Sequence, residues 1–244
     1  MDLKSVRRAA AGLLLAALAG CGTLPSAAAA PAPAGAHARS AKPVVVTLGD
    51  SVPAGTACDC DPFPTTYARS VNAVSDNLAV PGYTSTDLLT QIPGVRSRLA
   101  DADEVVLMIG ANDLAAAFDS DSSLSDAATT MQQNVTASIK AIDAIRTTTV
   151  LVLGYWNVVQ DGQVAAGSYG PDGVKRSVTA TQYANQGLRE AAAETHAKYI
   201  STDPAFHGAD GSQDPTDLLA ADGDHPNAAG HAAIAALLPP LATD

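Results

Sequence analysis

Three short runs of β-branched and apolar residues, each closed by a glycine, constrain the fold of this chain more than any other feature. They are Val44-Val45-Val46-Thr47-Leu48 before Gly49, Glu104-Val105-Val106-Leu107-Met108-Ile109 before Gly110, and Thr148 to Leu153 before Gly154. None alternates apolar with polar residues. A strand without alternation is buried on both faces, which requires a layer of helices on each side of its sheet. Weaker strand signals lie at Ala73 to Leu78 and at Lys198-Tyr199-Ile200-Ser201, ahead of Asp203-Pro204. Helical patterns run from Ser123 to Ile145 and from Val178 to His196, and a last helix follows the N-cap residue Asn227 and stops at Pro239-Pro240. This alternation predicts an α/β fold, a three-layer α/β/α sandwich around a mainly parallel sheet of about five strands.

The first forty or so of the 244 residues do not read as folded structure. Lys4, Arg7 and Arg8 precede an apolar run from Ala9 to Ala19 that is too short for a permanent membrane span. This is the pattern of a signal peptide over residues 1–20. Leu18-Ala19-Gly20-Cys21 resembles the bacterial lipobox, which implies a mature chain starting at a lipidated Cys21 and held to the outer side of the cell membrane. Cleavage further on, within the Ala-rich stretch up to Ala38, would instead release a freely secreted protein. Residues 21–42 are mostly Ala, Pro, Gly and Ser and predict a flexible tether. Residues 43–244 are then enough for one domain with a full core, expected to be monomeric.

The net charge is −11, and the only basic cluster lies in the leader. An acidic domain gains nothing from the counterion release that drives nucleic-acid binding, so such partners are excluded. Past Cys21 the only cysteines are Cys58 and Cys60, which in an oxidising compartment are expected to form a local disulfide. No histidine or further cysteine stands at ligand spacing from them in the sequence, so no metal site is predicted.

In parallel sheets, chemistry collects beyond the carboxyl ends of the strands. Gly49-Asp50-Ser51 follows the first strand and presents a hydroxyl there. Gly110-Ala111-Asn112-Asp113 follows the third, where one residue can donate an amide to an oxyanion and the other can cap a helix. Val80-Pro81-Gly82 follows the second and offers a backbone N–H that no side chain obstructs. Near the end, Asp222-Gly223-Asp224-His225-Pro226-Asn227 sets a carboxylate three residues before a histidine. Such a carboxylate can curl back to accept from Nδ1–H and leave Nε2 to take a proton from a serine. Asp224 is the alternative orienting group, but its adjacency to His225 turns the two side chains apart. Each segment alone has a plain reading as a turn or a helix cap.

Together the four segments resemble the ordered blocks of the SGNH/GDSL hydrolase family. Gly49-Asp50-Ser51 with Gly55 matches the first block, Ala79-Val80-Pro81-Gly82 the second, Gly110-Ala111-Asn112-Asp113 the third, and Asp222 to His225 with Pro226-Asn227 the last. Val52 replaces the usual leucine after the serine, and the segment carrying Cys58 and Cys60 is an elaboration. The resemblance implies a flavodoxin-like fold and a serine esterase with Ser51 as nucleophile, His225 as base and Asp222 as its orienting group. It also implies an oxyanion hole from the N–H groups of Ser51 and Gly82 and the Asn112 amide. No cofactor is implied. The substrate would be a lipid, small acyl or carbohydrate O-acyl ester.

Two other functions fit the same fold: a non-catalytic binding lipoprotein of the cell envelope, and an acyltransferase using the same residues with another acceptor. The Gly-x-Ser-x-Gly elbow of the larger α/β-hydrolases is absent around Ser51. Tyr83, Tyr155 and Trp156 are candidates for the substrate pocket, and the Gly-rich segment from Tyr155 to Lys175 reads as a long loop shaping the cleft. His231, inside the last helix, and His196, at a helix C-terminus, read as structural.

Overall fold

The computed structural model describes residues 42–120 and 123–242. The expected signal peptide, nearly all of the tether and Cys21 lie outside them. Five parallel strands form one sheet: β1 (Val44–Gly49), β2 (Val74–Asn77), β3 (Glu104–Met108), β4 (Thr149–Leu153) and β5 (Lys198–Ile200). Their order is β2-β1-β3-β4-β5, with every pairing parallel. The central strands are those with unbroken apolar runs, and Val46, Leu48, Val105, Leu107, Leu151 and Leu153 are fully or almost fully buried. At the edge, β2 keeps Val74 exposed, which matches its weaker sequence signal.

Nine α-helices occur among the described residues. They are α1 (Ser51–Ala54), α2 (Phe63–Ser70), α3 (Ser85–Gln91), α4 (Arg96–Ala100) and α5 (Ala111–Phe118), then α6 (Leu124–Asp143), α7 (Gly162–Thr195), α8 (Asp203–His207) and α9 (Ala228–Leu237). One group, α3, α5, α6 and α7, packs together, while α2, α8 and α9 form a second. The two groups flank the sheet and give the three-layer sandwich. No described helix is long and apolar enough to cross a membrane.

Helix α7 differs from expectation. Most of the segment read as a glycine-rich loop, from Gly162 onward, is helical. Gly167, Gly170 and Gly173 weaken helix propensity and masked the pattern. The helix does break once, at Gly170 (φ 63°, ψ −178°), and Pro171 opens the next stretch, where its missing N–H costs nothing.

The strand order turns back at β1, which has β2 on one side and β3 on the other. Such a switch point opens a crevice beyond the carboxyl ends of the two diverging strands. The chain segments leaving β1 and β3 are Asp50-Ser51 and Gly110-Ala111-Asn112.

Candidate active site

Ser51 is the first residue of α1, immediately beyond β1. Asp50 caps that helix: its Oδ1 accepts from the Val52 N–H at 3.0 Å. Its own N–H donates to the Met108 carbonyl of β3 at 3.2 Å. Gly49 makes this approach feasible, because a Cβ there would stand 2.1 Å from the Met108 carbonyl oxygen. Asp50 therefore caps the serine turn through its side chain and ties it to the neighbouring strand through its backbone.

The histidine loop is equally well held. Asp222 Oδ2 lies 2.8 Å from His225 Nδ1, while Oδ1 accepts from the N–H groups of Asp224 and His225, both at 3.1 Å. Burial tends to raise the Asp222 pKa, but these hydrogen bonds outweigh it and hold the carboxyl below its usual range. With Nδ1 engaged as donor, Nε2 is the acceptor nitrogen. Asp224 approaches Nδ1 only to 3.8 Å. Asn227 anchors the far end: its Oδ1 accepts from the N–H groups of Ala229 and Gly230, and its Nδ2 donates to the carbonyls of Asp217 and Leu219.

Ser51, Asn112, Tyr155, Asp222 and Asp224 line one cavity of about 290 Å³. The start and the end of the domain thus meet at the switch point. His225 also bears on the Asp50 carboxyl, whose pKa its charge lowers. Ser51 and His225 share no hydrogen bond here, and in unliganded sites such bonds are often long until substrate binds.

Asn112 is fixed by donating one Nδ2 hydrogen to the Tyr83 carbonyl at 2.8 Å, leaving the other available. Gly82 sits at φ 83°, and a Cβ there would meet no protein atom within 4 Å, so the space beside its α-carbon is open. The Val80 N–H donates to the Gly49 carbonyl at 3.0 Å, which draws this turn against the serine segment. Neither Asn112 nor Asp113 caps α5, contrary to one reading of that motif. Gly110 occupies the cap, and Asp113 instead accepts from the Ser85 N–H and hydroxyl at 2.9 and 2.6 Å, tying α5 to α3.

The three aromatic pocket candidates part company. Tyr155 lines the Ser51 cavity but turns its hydroxyl onto Asp50 Oδ2. Trp156 is buried against Phe206, with ring centroids 3.9 Å apart, and lines a different, larger cavity of about 730 Å³. Tyr83 is half-buried and contributes its backbone carbonyl. Sequence reading missed Tyr169 as a lining residue. It belongs to the glycine-rich segment expected to shape the cleft, and Val158, Val159 and Gln160 of that segment line the cavity with it. Asn157 and Gln160 border both cavities.

Cys58 and Cys60 are joined by a disulfide, with Cα atoms 5.1 Å apart. Folding also brings His231 of α9 to them, so that one donor atom of each of the three residues lies within 4.8 Å of the others. These residues do not fit a metal as they stand. The sulfurs are bonded to each other and offer no thiolate, and His231 Nδ1 accepts from the Phe63 N–H at 3.2 Å. Burial pushes the His231 pKa down to about 4, which makes it a neutral core group.

Residues 47–233 match the GDSL-like lipase/acylhydrolase family. No curated protein matches the chain significantly. Among solved structures, the lipase Lip_vut3 from a goat rumen metagenome is similar at 19% identity and TM-score 0.63, over 80% of this chain and 95% of that one. Phospholipase A1 from Streptomyces albidoflavus NA297 is 20% identical with TM-score 0.61, over 81% and 100%. The acetylxylan esterase Axe2 from Geobacillus stearothermophilus is 18% identical with TM-score 0.58, over 81% and 92%. At these identities the likeness is one of fold.

Proposed function

From the premise that this chain belongs to the GDSL-like lipase/acylhydrolase family and hydrolyses esters, we propose that it is an exported serine esterase acting through an acyl-Ser51 intermediate. One observation carries the reading: Ser51, Asn112 and the His225-bound Asp222 converge on a single cavity although they lie far apart in the chain.

In the proposed reaction His225 Nε2 takes the Ser51 proton as Oγ bonds to the acyl carbon. The carbonyl electron pair moves onto oxygen, where the N–H groups of Ser51 and Gly82 and the free Asn112 hydrogen receive it. Asp222 keeps the His225 tautomer and stabilises the imidazolium. Collapse returns the proton to the leaving alcohol. Water, activated by the same imidazole, then releases the acid.

A cavity of about 290 Å³, walled partly by Ala111, Val158 and Val159, suits a short acyl group better than a long chain. Short acyl esters are accordingly the proposed substrate class, on either a small alcohol or a carbohydrate. Export is proposed from the leader-like residues 1–20, with Cys21 as the lipid-anchored terminus.

The test is fluorophosphonate labelling together with turnover of p-nitrophenyl esters from acetate to palmitate. Labelling and hydrolysis should both vanish in Ser51→Ala, and activity should fall beyond butyrate. Retained hydrolysis in folded Ser51→Ala protein would remove the assignment.

A further inference from the structure

Two buried groups beside Ser51 have no part in the reaction described above. Asp50 is fully buried and Tyr155 is about 1% exposed. The Tyr155 hydroxyl donates to Asp50 Oδ2, while Oδ1 accepts from the Val52 N–H. Both carboxylate oxygens of Asp50 are thus engaged, and each link leads to an element of the site. Val52 adjoins Ser51. Tyr155, at the end of β4, is held by Asn185 of α7, whose Oδ1 accepts from the Tyr155 N–H at 2.8 Å and whose Nδ2 donates to the Tyr155 carbonyl at 2.7 Å. A chain of hydrogen bonds therefore runs from α7 through Tyr155 and Asp50 to the serine turn.

The charged surroundings are few. Asp50 faces Tyr155 from β4, the Val52 N–H from α1, and His225 and Asp224 from the loop before α9. Tyr155 also faces the backbone of Ala111 and the Asp113 carboxylate, both from α5. Of these, His225 is the base, so a negative charge on Asp50 attracts the imidazolium formed there during attack. A fully buried carboxylate is expensive to ionise unless hydrogen bonds compensate. Tyr155 supplies the larger of the two compensating bonds.

On the reading of Ser51 and His225 as nucleophile and base, we infer that Asp50 and Tyr155 form a positioning pair. The Tyr155 hydroxyl favours the ionised form of Asp50, and that buried charge, where present, fixes the serine turn and stabilises the His225 imidazolium alongside Asp222. Asp50 neither gains nor loses a proton in the cycle, and the serine proton still travels to Nε2. Burial pushes the Asp50 pKa up to about 7, the Tyr155 and Val52 hydrogen bonds and His225 restrain the rise, and Asp224 adds to it. Loss of the phenol hydroxyl therefore raises it further and neutralises the charge near neutral pH.

The test is the pH dependence of kcat and KM on p-nitrophenyl acetate for Tyr155→Phe and Asp50→Asn. Active sites are counted by fluorophosphonate titration, and the fold is checked by thermal melting. For Tyr155→Phe the acid limb of kcat/KM should move up by about one pH unit, since a hydrogen bond to the charged form is lost. Turnover should recover to within about twofold of wild type at pH 9, with KM nearly unchanged, because the binding surface is intact. For Asp50→Asn the limb should become shallower by one ionisation, and turnover should stay about tenfold low even at pH 9, where the charge is absent at every pH.

A merely structural role predicts a loss in Tyr155→Phe that is equal at every pH with the limb unmoved, and that result would overturn the inference. If Tyr155→Phe fails to fold, Asp50→Asn decides, and a limb of wild-type steepness in that variant overturns the inference in the same way. Hydrolysis surviving in Ser51→Ala is a separate outcome that removes the nucleophile assignment itself.

Discussion

Replacing Gly49 by alanine tests whether close contact between β1 and β3 is what aims the serine. The added Cβ would lie 2.1 Å from the Met108 carbonyl oxygen and 2.7 Å from Pro53 Cγ, where ordinary contact begins near 3.4 Å. Gly49 and Met108 are register partners, and the same carbonyl accepts the Asp50 N–H at 3.2 Å. Relief therefore requires the strand ends to separate by more than about 1 Å, with loss of that hydrogen bond. Overpacking of this kind costs about 1–3 kcal/mol and the bond about 1 kcal/mol, for a total of about 3 kcal/mol. In a domain of this size each kcal/mol lowers Tm by about 2–4 °C, so a fall of about 6–12 °C is expected. A displacement of about 1 Å at the nucleophile costs about a hundredfold in rate. Scanning fluorimetry gives the first number. Fluorophosphonate labelling at 20 °C, where both proteins are folded, gives the second. A Tm within about 2 °C of wild type and labelling within about twofold would refute the reasoning.

The two carboxylates flanking His225 should separate sharply. Asp222→Asn replaces the acceptor on Nδ1 and should lower turnover by about 10³–10⁴-fold, while Asp224→Asn, 3.8 Å away, should cost less than about tenfold; equal losses in p-nitrophenyl acetate turnover would refute the assignment of the orienting group. His207 carries a pH-dependent share of stability. Its hydrogen bond to Asp161, opposed by burial and aided by Asp203, raises its pKa from 6.5 to about 8. Because the folded value exceeds the unfolded one, the stabilisation is complete below pH 6.5 and lost as pH rises through 8. It amounts to about 2 kcal/mol, so His207→Gln should melt about 4–8 °C below wild type at pH 6 and level with it above pH 9. A gap independent of pH would count against the linkage.

The central strands, the α/β architecture and the four motif segments were legible in the chain because each signal is local. An unbroken run such as Val105 to Ile109 specifies burial on both faces, and Gly49 specifies a strand exit with no side chain to obstruct it. The spacing of Asp222 and His225 was also readable, because a three-residue turn closes that hydrogen bond without help from the rest of the molecule. Helix α7 was only half legible, since the glycines that allow its break also hide its helical stretches.

What no local signal carries is which distant groups become neighbours. Tyr155 and Trp156 are adjacent in sequence and follow the same strand, yet one faces Asp50 and the other stacks on Phe206 in a separate cavity. Consecutive side chains diverge beyond a strand, and only packing against α7 and α8 decides what each meets. Asp50 reads in the sequence as a turn residue, and only the tertiary structure, by surrounding it with the segment after β4 and the His225 loop, makes it a buried carboxyl group with a raised pKa. His231 likewise comes to rest against the Cys58–Cys60 bridge through the docking of α9 on α2. The chain by itself determined which residue types stand at the strand ends. Their contacts were decided by the order of the strands, because that order sets which ends lie side by side.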